Sequence, residues 1–334
     1  MDKEQIASHK KNIIAIGRLL WEKNLVSGLN GNISRRIDHD NILLTGHGAC
    51  LGLLQEKDIL PIRLDGTSGE TENVSSEKLL HTEIHKNFTD TVAVIHTHTN
   101  FTNAFFLDHK TFAPRIFESK MLLGTIRAVD QFTPAVTDAG SVLTELKSNN
   151  ITVLRNHGVV AKGNDLFDCF LLIQGLEDAI TVDAVSRLYG PVPGDGDAME
   201  LAAQEQMGVK KYKLFSQEQI DDIVKIVNAD PQLKELGNNT KMTMGLAVQL
   251  DETGQTYSFN FEDGRITDVG NDPGAEFLIS APREVWRAVF NREIDPFVAT
   301  TQKKMNLRGD FAKISKWYAP CSRIFELWQQ VPVE

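Results

Sequence analysis

The chain contains few cysteines and no long apolar run, and each absence excludes a class of protein. Its three cysteines lie far apart among 334 residues and form no C-x-x-C pair. Such spacing is typical of free thiols in a reducing compartment rather than of a disulfide framework. No apolar run is long enough to span a bilayer, and the charged start Met1 to Gln5 does not resemble a secretion signal. We therefore expect a cytoplasmic protein without membrane association.

Positive charge is also scarce relative to negative charge. The sequence has 35 Lys and Arg residues against 45 Asp and Glu residues, which gives a formal net charge of -10. This balance argues against general binding to nucleic acid. An anionic substrate would therefore need local positive groups, such as a metal ion or a helix N-terminus. Arg155 is either such a group or an ordinary surface arginine.

The length and the composition predict two domains. A chain of 334 residues with 41% hydrophobic residues has ample material for two cores. The run Tyr-Gly-Pro-Val-Pro-Gly-Asp-Gly-Asp from residue 189 has the composition of a linker. We expect an N-terminal domain over residues 1–190, a linker and connecting helix over 191–215, and a C-terminal domain over 216–334.

The most informative stretch of the N-terminal half is a predicted strand that ends in two histidines, Val92 to His98. Side chains alternate across a strand, so His96 and His98 should share one face, roughly 6–7 Å apart. A second apolar run, from Ile151, ends in His157 and Gly158. Three histidines on two strands, with a carboxylate nearby, form the kind of site that binds catalytic zinc. The alternative for each histidine is a structural hydrogen bond to the backbone.

A second motif, Ser75-Ser76-Glu77, predicts the start of a helix that continues through Phe88. Serine hydroxyls suit the N-cap and an acidic side chain suits the first turn. In that interpretation the three residues stabilise a helix terminus. The same free N–H groups and hydroxyls also suit an anion, so a ligand site is compatible with the pattern.

Four motifs in order carry a resemblance to a known family. They are Gly31-Asn32-Ile33-Ser34, Ser75-Ser76-Glu77, His96-Thr97-His98 and Asn156-His157-Gly158. In their order and spacing, residues 5–190 resemble the class II aldolase/adducin family. The resemblance implies an α/β fold, a three-layer α/β/α domain around a mostly antiparallel sheet. It also implies a homotetramer with active sites between subunits.

The resemblance assigns metal ligands. His96, His98 and His157 match the three histidine ligands of the family, which most often bind zinc, although manganese, cobalt or iron suits the same donors. Glu77 would be a fourth ligand or the catalytic base, since a carboxylate beside a cation can leave it and take a proton. A hydroxycarbonyl substrate would be activated there by stabilisation of an enediolate.

The resemblance also assigns an anion pocket for a substrate phosphate. Its members would be Asn32, His47, Gly48, Ser75 and Ser76. The aldolases commonly have Thr or Ser where this chain has His47, so the pocket is expected to select a different anionic group or to bind phosphate through an imidazole.

Glu118 marks a second departure from the family pattern. Fuculose-phosphate aldolase supplies a tyrosine from the adjoining subunit as proton donor, and Glu118 takes that place here. The dehydratase branch uses a glutamate as its acid/base group, and desolvation would raise the pKa of such a carboxyl toward that role. The alternative is a surface glutamate paired with Arg115 or Lys120.

Residues 275–327 carry the second resemblance, to the sterol carrier protein family. The motifs are Ala275 to Trp286, Asp295-Pro296-Phe297 and Met305 to Lys313 with its Gly309-Asp310 turn. The resemblance implies an α+β domain that encloses an apolar tunnel. Three possibilities remain open: a pocket for a lipid or apolar substrate tail, a packing or oligomerisation module that covers the neighbouring active site, and a vestigial fold. The aromatic residues are expected to be core rather than ligand box; they are Trp286, Phe290, Phe297, Trp317, Phe325 and Trp328.

These observations predict a divalent-metal-dependent aldolase or other lyase that acts on a hydroxycarbonyl, sugar-phosphate-like substrate. An epimerase or a dehydratase could use the same metal site and the same enediolate. A non-catalytic alternative is an adducin-like assembly module with a lipid-binding second domain. The complete histidine triad argues against that alternative.

Overall fold

The computed structural model describes residues 3–65, 73–189 and 210–334. The chain divides into two compact units, Met1–Asp195 and Gly196–Glu334. Most of the predicted linker and connecting helix, up to residue 209, lies outside the described residues. The sequence predicts helical structure to about Lys213, but in the described part of this segment Tyr212 forms a parallel bridge with Val333 instead. Among the described residues, no helix is long and apolar enough to cross a membrane.

The first unit alternates helices and strands. Its helices are α1 (Lys3–Glu22), α2 (Lys78–Asn87), α3 (Asn100–Phe106), α4 (Phe117–Leu123), α5 (Gly140–Ser148) and α6 (Leu166–Tyr189). Its strands are β1 (Asn32–Arg36), β2 (Asn41–Thr45), β3 (Ile59–Arg63), β4 (Ala93–Thr97), β5 (Thr111–Phe112), β6 (Ile126–Asp130), β7 (Ile151–Arg155) and β8 (Gly158–Gly163). Short 3-10 turns at Leu51–Leu53 and Glu56–Asp58 precede β3.

The eight strands form one sheet in the order β3-β2-β1-β4-β8-β7-β6-β5. Every neighbouring pair is antiparallel except β6 and β7, which are parallel. The predicted mostly antiparallel sheet is therefore confirmed. The run from Ile151 to Gly163 is a hairpin of β7 and β8, with His157 in its turn rather than at the end of an isolated strand.

Helices cover both faces of this sheet because its central strands are apolar on both faces. Ile95 of β4 belongs to a core cluster with residues of α1, α3 and α6. Val94, the next residue toward the N-terminus, belongs to a cluster with residues of α2 and α5 on the opposite face. Burying both faces removes apolar surface from water, and each Å² of buried apolar surface stabilises the fold by about 25 cal/mol. The expected three-layer α/β/α arrangement is confirmed.

Two helix boundaries differ from the sequence prediction. The spacing of apolar residues over 3–26 predicts one helix there, but α1 ends at Glu22, because Asn24 adopts a left-handed conformation with φ of 57°. Helix α2 begins at Lys78, after the Ser75-Ser76-Glu77 motif, and Glu77 occupies its N-cap position without a side-chain capping bond. The serine hydroxyls are therefore not the N-cap, and the Glu77 carboxylate is not in the first turn.

The second unit combines a five-stranded sheet with helices. Its helices are α7 (Gln217–Ala229), α8 (Pro231–Thr240), α9 (Arg283–Phe290), α10 (Pro296–Thr301), α11 (Phe311–Lys316) and α12 (Tyr318–Trp328). Its strands are β9 (Thr243–Leu250), β10 (Thr256–Glu262), β11 (Arg265–Gly270), β12 (Phe277–Ala281) and β13 (Asn306–Arg308). The order is β11-β10-β9-β12-β13, with β9 and β12 parallel and the other pairs antiparallel.

The aromatic residues of this second unit are core, as expected. Trp286, Phe290 and Trp328 are buried, and Phe290 stacks on Trp328 with ring centroids 6.2 Å apart. Trp317 is buried as well, and Phe297 and Phe325 are partly buried against the same cluster. Aromatic pairs of this kind contribute about 0.5–1.5 kcal/mol beyond the area they bury.

Candidate functional site

The three predicted metal ligands converge at one end of the central strands. His96 lies in β4, which is hydrogen-bonded to β8, and the turn before β8 carries His157. Strand β4 ends at Thr97, so His98 follows the strand instead of continuing its alternation. The ring centroids of the three histidines nevertheless lie 4.7–4.9 Å apart.

The ligand atoms of these imidazoles are close enough to share one ion. They all lie within 4.8 Å of one another, and Nε2 of His96 is 3.0 Å from Nε2 of His98. Two nitrogens that bind one zinc ion at about 2.0–2.1 Å in a tetrahedron lie about 3.4 Å apart. The separation of the rings therefore satisfies the requirement of the sequence hypothesis.

Local backbone geometry allows this close approach. Asn156 in the hairpin turn has a φ of 62°, a left-handed conformation that asparagine adopts more readily than most residues. Gly158 follows His157, and a Cβ atom there would lie 2.3 Å from the Thr97 carbonyl oxygen. The same Cβ atom would lie 2.9 Å from the His98 ring and 3.0 Å from the His96 ring. Glycine at this position is thus a steric condition for the histidine cluster.

The electrostatics favour neutral imidazoles, which are the metal-binding form. Burial, followed by the neighbouring rings of His98 and His157, holds the pKa of His96 well below its ordinary value. Burial, followed by His157, lowers the pKa of His98 to about 4, against an opposing effect of Glu77. The Nδ1 atom of His96 lies 2.9 Å from the Val159 carbonyl oxygen, to which it can only donate. Its proton is therefore on Nδ1, which leaves the Nε2 lone pair directed at the cluster.

Glu77 lies beside the histidines. Its Oε1 atom is 3.4 Å from Nε2 of His157, and its carboxylate accepts from the Val136 backbone N–H at 3.2–3.3 Å. Only 3% of Glu77 is exposed. The buried Nε2 atom of His157 makes no hydrogen bond. An unpartnered buried nitrogen, two neutral imidazoles and a buried carboxylate are a donor set that fits a divalent metal ion.

Two of the predicted anion-binding residues are buried next to this cluster. Asn32 in β1 is the cross-strand partner of His96 in β4, so their side chains share one face of the sheet. Ser75 is 7% exposed, and its hydroxyl accepts from the Glu77 backbone N–H at 3.2 Å. Ser76 is exposed.

The loop with His47 and Gly48 lies next to the segment that precedes Ser75. Gly46 forms an antiparallel bridge with Val74, and the His47 backbone N–H donates to the Asn73 carbonyl at 2.7 Å. These contacts connect the loop to the segment that carries Ser75. The side chain of His47 and the backbone of Gly48 are exposed.

Two further candidates lie elsewhere. Glu118 is exposed in the first turn of α4, and Arg115 pairs with Asp183 at 3.0 Å rather than with Glu118. Arg155 pairs with Asp130 at 2.5 Å and donates to the Phe106 and Leu107 carbonyls. Arg155 therefore ties α3 to β6, which is a structural role.

Sequence reasoning missed a polar cluster next to Asn32. His81 and His85 of α2 are fully buried, and both contact the hydroxyl of Ser34 in β1. The signal was present in the sequence, because Glu77, His81 and His85 are spaced four residues apart, which places them on one face of a helix.

Comparison with known proteins identifies a family for each of the two parts of the chain. Residues 11–183 match the Class II Aldolase and Adducin N-terminal domain, and residues 225–320 match the SCP-2 sterol transfer family. The L-fuculose phosphate aldolase of Methanocaldococcus jannaschii is 35% identical over 183 residues, which are 54% of this chain and 97% of that protein.

More distant relatives have other names. The methylthioribulose-1-phosphate dehydratase of Alcanivorax borkumensis is 24% identical, over 52% of this chain and 90% of that protein. The 3-oxo-tetronate 4-phosphate decarboxylase of Haemophilus influenzae is 26% identical, over 51% of this chain and 84% of that protein.

The fold of the first unit also has solved counterparts. The crystal structure of L-fuculose-1-phosphate aldolase from Thermus thermophilus superposes with a TM-score of 0.50 and 24% identity. It covers 57% of this chain and 97% of the other. The chain therefore belongs to the class II aldolase and adducin family, and an SCP-2-like domain follows its aldolase-like domain.

Proposed function

We propose that this protein is a divalent-metal-dependent lyase that cleaves a phosphorylated hydroxycarbonyl compound by an aldolase-type reaction. The observation that carries the proposal is the convergence of three imidazoles within 4.8 Å, beside a buried carboxylate. The relatives that act on sugar phosphates support the substrate class. His96, His98 and His157 would hold the metal, for which zinc is our first candidate.

The residues of this chain would divide the chemistry as follows. A bound divalent cation would stabilise negative charge that develops on the substrate oxygens. Glu77, 3.4 Å from His157 Nε2, would bind the metal in the resting enzyme and take a proton from the substrate. Asn32 and Ser75 would bind the phosphate, with the exposed Ser76, His47 and Gly48 at its solvent side. A buried site excludes water, which strengthens each of these electrostatic interactions.

Glu118 would complete the site from a neighbouring subunit. Two exposed apolar residues come directly before it: Ile116, the N-cap residue of α4, is 42% exposed, and Phe117 is 61% exposed. Exposed apolar side chains that lie together are one mark of a surface that associates with another chain. We therefore propose a homo-oligomer, a tetramer by resemblance, in which the α4 surface meets a second copy.

Dehydration is the second candidate reaction, and Glu118 is the observation that favours it. A carboxyl group in place of the aldolase tyrosine could protonate a leaving hydroxyl as readily as a nascent carbanion. In cleavage, Glu77 would take the proton of the hydroxyl on the carbon that becomes the aldehyde, the C–C bond would break, and Glu118 would protonate the carbanion. In dehydration, Glu77 would take a proton from the carbon next to the carbonyl, and Glu118 would protonate the hydroxyl that leaves as water.

For the second unit we propose a packing role rather than a lipid-binding role. The interior positions carry large aromatic side chains, including Trp286 and Trp328, which are at most 1% exposed. Delipidated protein incubated with a fluorescent fatty acid tests this proposal. Saturable binding of one fatty acid per chain would contradict it and would support an apolar ligand site.

The main experiment measures two quantities on the same protein preparations: the metal content and the removal of a proton from the substrate. The wild-type protein should contain about one divalent ion per chain, and His96→Gln should contain little. Wild-type protein should also exchange a proton of dihydroxyacetone phosphate with deuterium in D2O, as followed by NMR, and cleave L-fuculose 1-phosphate. Equal, substoichiometric metal in both proteins would reject the metal site. Bound metal with neither exchange nor cleavage would reject the proposed chemistry.

A further inference from the structure

Helix α2 lies against strand β1 along a row of polar side chains. Glu77, His81 and His85 are four residues apart, and the two histidines contact Asn32 and Ser34, which are two residues apart on β1. Residues at these spacings lie on one face of a helix and on one face of a strand. The end of the row with Glu77 reaches His157 of the proposed metal site.

The row is connected by short hydrogen bonds. Nε2 of His81 lies 2.5 Å from Oδ1 of Asn32. On its other side, Nδ1 of His81 lies 2.7 Å from the Ser34 hydroxyl oxygen. The same hydroxyl oxygen lies 2.9 Å from Nε2 of His85.

The chemistry of the groups gives this chain a direction. The Oδ1 atom of Asn32 can only accept, so Nε2 of His81 carries the proton and donates it. Nδ1 of the neutral ring must then accept, and the Ser34 hydroxyl donates to it. The oxygen of Ser34 accepts from Nε2 of His85. Both rings are fully buried, and burial lowers the pKa of each to about 3, so neutral rings are expected at neutral pH.

This direction determines how the Asn32 amide is presented. Because His81 donates to the carbonyl oxygen, the NH2 group of Asn32 is turned to the other side and can donate to an anion. Asn32 is also the cross-strand partner of His96. An unrestrained asparagine would exchange its two amide orientations, and in one of them the carbonyl oxygen would repel an anion.

We propose that His81, held by Ser34, is a positioning residue that fixes the Asn32 amide with its NH2 group toward the substrate anion. The inference rests on the anion-binding role proposed above for Asn32. The hydrogen bonds of His81 go to Ser34 and Asn32 and not to the proposed metal ligands, so His81 would act on the anion through Asn32. The competing explanation is a buried network that only stabilises the fold.

A double-mutant cycle with inorganic phosphate as the probe distinguishes the two explanations. The proteins are wild type, His81→Leu, Asn32→Ala and the double variant, each loaded with its metal. Calorimetry gives the dissociation constant for phosphate, and metal content and thermal unfolding are measured on the same samples. Direct binding of phosphate to the metal contributes the same free energy in all four proteins and cancels in the cycle. The cycle therefore isolates the part of the binding free energy that depends on Asn32.

The expected result is strong non-additivity. His81→Leu and Asn32→Ala should each weaken phosphate binding about ten-fold, the size of one hydrogen bond to a charged group. The double variant should bind no more weakly than Asn32→Ala alone. His81→Gln, whose amide can donate from the position of Nε2, should restore most of the affinity. The exposed His39→Gln is the matched control and should bind like wild type.

A second variant keeps the test decisive if His81→Leu does not fold. Ser34→Ala removes the hydroxyl that restrains Nδ1 of His81. It should weaken phosphate binding a few-fold in the protein that keeps Asn32, and should have no effect in the Asn32→Ala protein. Equal weakening with and without Asn32, or unchanged binding in both His81 and Ser34 variants, would overturn the positioning role. If Asn32→Ala itself leaves phosphate binding unchanged, the anion-binding role of Asn32 fails and this inference falls with it, whereas the metal site is judged separately by metal content.

Discussion

The Glu177 carboxylate accepts two hydrogen bonds from Thr102, one from its backbone N–H at 2.8 Å and one from its hydroxyl at 2.7 Å. It also accepts from the Phe101 backbone N–H at 2.9 Å. Glu177 belongs to α6, yet it satisfies the free N–H groups at the start of α3. The preceding Thr99 makes no capping bond of its own. Because α3 begins two residues after His98, Glu177 restrains the segment that carries this proposed ligand.

Replacing Glu177 should therefore affect stability and metal binding together. Glu177→Gln puts an amide NH2 against a backbone donor, and we expect the free energy of unfolding to fall by about 1–3 kcal/mol. The affinity for zinc should fall as well, because the His98 segment loses its restraint. Urea unfolding and competition with a zinc chelator measure the two effects. The exposed neighbour Asp178→Asn should change neither, and a Glu177→Gln protein with wild-type values would refute the connection.

Gly158→Ala should disrupt the histidine cluster without removing any histidine. The added Cβ atom would lie 2.3 Å from the Thr97 carbonyl oxygen, 2.9 Å from the His98 ring and 3.0 Å from the His96 ring. We expect a loss of about 1–3 kcal/mol in unfolding free energy, as for other overpacked sites, and a large loss of bound metal. Gly245→Ala is the control, because its nearest neighbours would be at 3.4 Å or more. Full metal content in Gly158→Ala would show that the cluster is more tolerant than its geometry indicates.

Acidification should destabilise the protein through its buried histidines. The folded-state pKa values of His81 and His85, about 3, lie below the unfolded value of about 6.5. Between these values only the unfolded state binds the proton, so stability is full above pH 6.5 and is lost as the pH falls toward 3. Each such histidine should contribute a slope of about 1.4 kcal/mol per pH unit.

Urea unfolding of chelator-treated protein between pH 7 and pH 5 measures this slope. His85→Gln should have a slope smaller than that of wild type by about 1.4 kcal/mol per pH unit, whereas the exposed His39→Gln should not. An unchanged slope in His85→Gln would mean that this ring takes up its proton equally in the folded and unfolded states, so that folding does not lower its pKa.

Glu118→Gln should reduce turnover but leave the metal in place. Removal of a general acid or base typically costs about 10²- to 10⁴-fold in rate, and Glu118 is exposed and is not a member of the histidine cluster. Cleavage of L-fuculose 1-phosphate, metal content and oligomeric state should be measured together. Asp108→Asn, another exposed carboxylate of the first unit, is the control. Wild-type turnover in Glu118→Gln would remove this residue from the catalytic mechanism.

The local patterns of the chain determined its elements. The β1 and β2 hairpin, the apolar helix α6 and the strands β9 to β12 follow from periodicity and from Gly- or Asn-containing turns. The four ordered motifs were sufficient to indicate the family. The spacing of His96 and His98, with His157 after a second apolar run, was sufficient to predict the triad as a hypothesis.

Tertiary structure decided the rest, because it depends on contacts between residues far apart in sequence. Helix α2 starts after the Ser75-Ser76-Glu77 motif, so Glu77 faces His157 and Val136 instead of capping its own helix. The burial of His81 against Ser34 requires the packing of a helix on a strand, and burial is what makes that ring neutral. The sequence thus determined the donor groups, and only the folded packing could set their distances, their protonation and the groups that orient them.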